Sequence, residues 1–88
     1  MKLKYNFVVQ EVADDYVGLP VGVENAKFGG LVRMNKTGAF IFEQLKEDTS
    51  EEILLSSMVK KYDADKAALK ASLDKFLAKL REEELLVE

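Results

Sequence analysis

The 88-residue sequence predicts an α+β domain, winged helix-turn-helix-like, in which a three-stranded antiparallel sheet is followed by three α-helices. Three observations carry that prediction. The first third is rich in β-branched and aromatic residues interrupted by turn chemistry, whereas from Lys36 onward apolar residues recur at helical spacing. Between them, Leu31–Leu45 switches from one pattern to the other within a few residues, with Asn35 placed to cap the helix. Finally, the short link at residues 60–64 between the second and third helices fits a helix-turn-helix, with the sheet as its wing.

The first strand is Phe7–Val12, followed by turn residues Ala13, Asp14 and Asp15. The second, Tyr16–Val21, alternates so that Val17, Leu19 and Val21 are expected on one face. Pro20 lacks an N–H for the ladder, so its N side must face solvent, a bulge or the strand's end. A turn near Glu24–Ala26 then feeds a third strand from about Lys27 to Met34, with Val32 and Met34 on one face and Leu31 and Arg33 on the other. Gly29 and Gly30 within it suit either a bulge or the close approach of another backbone.

The first helix spans about Lys36 to Glu47 and buries Gly38, Ile41, Phe42 and Leu45, leaving Phe40 for the N-terminal segment to cover. The second is expected to open at Thr49 with a capping box to Glu52, and carries Ile53, Leu54, Leu55, Met58, Val59 and Tyr62. The third starts at Asp63 or Asp65, and Leu69, Leu73, Phe76, Leu77 and Leu80 form the cleanest amphipathic stripe in the chain. Beyond the acidic run Glu82–Glu84, Leu85–Val87 is a short apolar tail.

Composition excludes several functions. There is no cysteine and no histidine, which removes thiolate chemistry, Cys-ligated metal, the commonest general base and the commonest metal ligand. Asp63-Ala64-Asp65 lacks the glycine and terminal glutamate of an EF-hand loop. An enzyme is not expected, and neither is a cofactor or metal. A net charge of −3 argues against nucleic acid and against an anionic membrane surface as partners. No apolar run approaches the ~20 residues of a membrane span, and residues 1–6 lack the features of a signal peptide, so a cytoplasmic location is expected.

The run Met34-Asn35-x-Thr37-Gly38-Ala39-x-Ile41-Phe42-x-x-Leu45 resembles the strand-to-helix junction of the PqqD-like family. So do Thr49-x-Glu51-Glu52-Ile53, leading to the turn at Tyr62–Asp65, and Leu73-x-x-Phe76-Leu77-x-x-Leu80. The resemblance covers essentially the whole chain. Two positions depart from it. Ser72 stands where the family often has Asp, and Glu84 stands where it often has Gly, a residue suited to a left-handed helix end.

The resemblance implies a non-catalytic peptide-binding module, a RiPP recognition element or peptide chaperone like the protein that serves coenzyme PQQ (pyrroloquinoline quinone) biosynthesis. Such a module captures the leader of a ribosomal precursor peptide by β-augmentation at the third strand, beside the third helix, and presents the precursor to a modifying enzyme. In family members that enzyme is often a radical SAM protein. The implied groove takes Phe28, Gly30, Leu31, Val32 and Arg33 from the strand, and Lys70, Ser72, Lys75, Phe76 and Lys79 from the helix. A monomer or weak homodimer is expected. The alternatives are a winged-helix DNA-binding module and a structural or oligomerisation domain. The first needs base-reading residues at the start of the third helix, where Asp65, Lys66, Ala67 and Ala68 supply few.

Overall fold

The computed structural model describes residues 1–22 and 31–88. A short strand, β1 (Lys2–Leu3), precedes a hairpin of β2 (Phe7–Val12) and β3 (Asp15–Pro20). Next come β4 (Val32–Met34), α1 (Lys36–Gln44), α2 (Glu51–Lys61), α3 (Lys66–Glu82) and β5 (Leu86–Val87). Strands β2, β3 and β4 form an antiparallel sheet with β3 in the middle, and β1 pairs with β5 in a separate ribbon. The expected α+β architecture of three antiparallel strands followed by three helices is therefore present. The expected turn at Glu24–Ala26, the start of the third strand and Gly29–Gly30 lie outside the described residues.

In the hairpin, Phe7 opposes Pro20 and Val12 opposes Asp15, so Ala13 and Asp14 form a two-residue connection. Ala13, the first central residue, takes φ 55° there, the positive φ that the two-residue turns matching strand twist place at that position. Pro20 closes the ladder at the strand's end, where its missing N–H costs nothing.

Val17 and Leu19 share a face of β3 as the alternation predicts, but the more deeply buried face is the other one. Gly18 and Pro20 are buried, Val17 and Leu19 only half-buried, and Val21 exposed. A Cβ on Gly18 would stand 3.0 Å from the Phe42 ring and 3.1 Å from Met34 Cε. Small residues on this face make room for Phe42, which is fully buried and meets the Phe7 ring edge-on at 5.1 Å.

Asn35 caps α1 as expected, its side chain accepting from Gly38 N–H at 2.8 Å. Regular helix stops at Gln44, short of the expected Glu47. The chain then tightens into three-residue bonds from Lys46 to Glu43 and from Glu47 to Gln44, while Leu45 O accepts from Leu3 N–H. Helix α2 is capped by Ser50, whose hydroxyl accepts from Ile53 N–H, and not by a Thr49–Glu52 box. Thr49 is engaged through its backbone instead, its N–H donating to Met1 O. Glu51 and Glu52 in the first turn and Lys60 and Lys61 in the last complement the helix dipole. Leu54 and Met58 are buried, while Ile53 and Val59 face outward.

Asp65 holds the N-cap position of α3 without a side-chain cap bond. Leu69, Leu73, Leu77 and Leu80 of the stripe are buried, and Phe76 is half-buried against the core. The helix ends in a Schellman motif: Leu85 N–H donates to Leu80 O, and Glu84 N–H donates to Arg81 O. Leu80 and Leu85, which close the motif, are both fully buried. Glu84 takes the left-handed φ of 59° that glycine favours, so the helix ends in the manner that glycine would allow although none is present. Phe40 is half-buried, meeting the Tyr62 ring edge-on at 5.8 Å with Lys61 over its outer face. Its cover thus comes from the end of α2 and not chiefly from the N-terminal segment. No described helix is long and apolar enough to cross a membrane.

Candidate functional site

Alternation along β4 sends Val32 and Met34 into the core and leaves Arg33 exposed at the sheet's edge. Beside that edge runs one stripe of α3, with Ser72, Lys75, Phe76 and Lys79 at successive helical contacts. Between the two lies a groove of about 410 Å³ that also takes in the start of α1. Met34, Gly38 and Ile41 make its floor, Asn35 and Thr37 its end at the α1 N-terminus, and Phe76 its apolar wall.

Gly38 is what lets the wall stand so close. A Cβ there would lie 3.0 Å from the Phe76 ring and 3.1 Å from Met34 Cβ. Phe76 is held from behind by Phe42, edge-on at 6.4 Å. The groove is thus a gap between packed elements, with backbone at its floor and aromatic surface at its side.

Its polar lining is one-signed. Among the described residues Arg33, Lys75 and Lys79 border it and no carboxylate does, in a chain of net charge −3. The α1 N-terminus, the positive end of that helix's dipole, opens into the same space. Among the described residues Arg33 reaches one acidic group, Asp15, at 4.0 Å with both side chains exposed. Lys79 Nζ donates to the Arg33 carbonyl at 2.6 Å. In an antiparallel pair each residue's N–H and C=O point to the same side. The Arg33 carbonyl that Lys79 meets, together with the Arg33 N–H, therefore belongs to the edge turned away from β3.

Of the strand residues expected at the site, Arg33 lines the groove, Leu31 is exposed beside it, and Val32 is buried in the core. Phe28 and Gly30 lie outside the described residues. Of the helix residues, Ser72, Lys75, Phe76 and Lys79 line the groove. Lys70 does not, because it projects from another face of α3 than the Ser72–Lys79 stripe. There it is bound to Asp74 at 2.9 Å, a contact that raises its pKa above the ordinary lysine value. Sequence reasoning did not place Met34, Asn35, Thr37, Gly38 and Ile41 at the site, although the junction motif contains all five. A glycine three residues past a helix cap, where alanine would favour the helix, is the signal that could have found them.

No curated protein matches the chain. Its fold is similar to that of TbiB1, solved in complex with the TbiA(beta) leader peptide, with a TM-score of 0.74 and 24% identity over 98% of this chain and 94% of that one. The family model described as coenzyme PQQ synthesis protein D (PqqD) matches residues 15–86, from the start of β3 to the start of β5, and the chain belongs to that family.

Proposed function

We propose that the protein is a non-catalytic module that binds the leader of a ribosomally made precursor peptide and holds it for a modifying enzyme. The observation that carries this reading is the open edge of β4 beside the α3 groove. One side of β4 is bonded to β3, and among the described residues no strand pairs with the other. An extended peptide laid there gains main-chain hydrogen bonds from the Arg33 edge, while its alternate side chains meet Phe76 and the groove floor. Family membership supports the reading, as does TbiB1, whose own structure holds a leader peptide.

In this reading Leu31 and Arg33 act largely through backbone groups, the role also expected from the sequence of Phe28 and Gly30, which lie outside the described residues. Val32 serves from the core by fixing the strand's register. Phe76 is a pocket wall, Ser72 a hydrogen-bonding group at the rim, and Lys75, Lys79 and Lys70 are cations along the helix. The modifying enzyme, for which a radical SAM protein is the family precedent, would dock on the bound pair.

The test is an amide-shift titration of the labelled protein with leader segments of short precursor-like reading frames encoded beside its gene. Saturable shifts at Leu31–Arg33 and Ser72–Lys79 are expected. Binding that leaves those residues unmoved, or shifts confined to β1 and β5, would reject the groove.

A further inference from the structure

The edge that a peptide strand would use is not vacant. Lys79 Nζ occupies the outward carbonyl of Arg33 at 2.6 Å, a short charge-assisted bond at an oxygen the added strand needs for its own N–H. Lysine along an open edge is a common device against unwanted pairing, since a charge there must be moved before a second strand can dock. Lys79 is exposed, and its flexible stem lets the ammonium swing away. Among the described residues it has no carboxylate partner to swing to.

Resting on the peptide-binding reading, we propose that Lys79 is a displaceable latch on β4, released by an acidic peptide. The peptide's backbone N–H replaces Nζ at the Arg33 carbonyl, and an Asp or Glu side chain of the same peptide takes up the freed ammonium. The occupant is therefore an extended peptide carrying a carboxylate at the position that faces Lys79. Charge complementarity points the same way: Arg33, Lys75 and the α1 N-terminus surround the groove with positive potential. A neutral strand breaks the Lys79 bond without replacing it, whereas an acidic one exchanges it for an ion pair. The latch thus gives selectivity as well as protection from self-pairing.

The test selects short peptides from a random display library on the whole protein, then compares the best groove binder with its Glu→Gln or Asp→Asn version. Wild type, Lys79→Met and Lys75→Met are each titrated with both peptides. On wild type the amide version should bind about tenfold more weakly, as expected for losing a charged hydrogen bond. On Lys79→Met the acidic peptide should lose most of that advantage, while the amide version should bind about three- to tenfold more tightly than it does to wild type, because no latch has to open. Lys75→Met, which alters only the field, should weaken the acidic peptide without helping the neutral one. In the unbound protein, Lys79→Met should also shift the Met34 amide, which shares the Arg33 peptide bond.

If selected peptides bind at Leu31–Arg33 but carry no acid, or if Lys79→Met never tightens the neutral peptide, the latch is rejected and the groove reading stands. If no selected peptide moves those residues, both fall together.

Discussion

Glu84 holds φ 59° at the end of α3, a conformation in which a side chain crowds the following carbonyl. That cost is of the order of 1 kcal/mol for a non-glycine residue. The Leu80–Leu85 contact and the two Schellman bonds hold the residue there regardless. Glu84→Gly should therefore stabilise the protein by about 1 kcal/mol, read as a raised urea midpoint at unchanged slope. Gly38 presents the opposite case. Alanine would gain about 1 kcal/mol in helix propensity, yet its Cβ must push back the Phe76 ring. The expected outcome of Gly38→Ala is a stability change within about 1 kcal/mol, because overpacking costs a similar amount. Peptide affinity should fall as Phe76 is driven into the groove. Denaturation and titration of the same variant separate the two effects.

Among the elements, the helices were legible and the sheet only partly so. The α3 stripe announces itself because Leu69, Leu73, Leu77 and Leu80 repeat at helical spacing within a helix of 17 residues, long enough for the period to be unmistakable. The alternation along β3 is legible in the sequence, but not which of its two faces is buried. Gly18 and Pro20 carry too little apolar surface to register in an alternating pattern, yet both are buried, and Gly18 is what the Phe42 ring packs against. Strands β1 and β5 have two residues each, too few to show any period. The groove was not visible in any local pattern either, since it lies between β4 and α3, which are far apart in sequence. Family resemblance pointed to it, and packing around Gly38 and Phe76 gave it shape. The α2 cap makes a direct comparison. Ser50→Ala should cost about 1 kcal/mol through loss of the bond to Ile53 N–H. Thr49→Ala, which leaves the backbone bond to Met1 intact, should change stability by less than about 0.5 kcal/mol in the same denaturation assay.

For the molecule as a whole, the main contrast is between an acidic chain and a cationic groove. A long-range field of that kind acts mostly on encounter rate and is screened by salt. Association of an acidic peptide should slow by about tenfold between low and physiological ionic strength, with dissociation nearly unchanged, in stopped-flow mixing. The β1–β5 ribbon carries a different consequence. Its pairing of Leu3 with Leu86 joins residues at opposite ends of the sequence, so forming it closes a loop of nearly the whole chain. Such closure is entropically costly and is rewarded only after the intervening core has condensed. The ribbon should therefore be absent from the folding transition state. Leu86→Ala should accelerate unfolding while leaving the refolding limb of the chevron unmoved. The clasp that joins the two ends of the chain would then set how long the folded protein survives, and have no say in how quickly it forms.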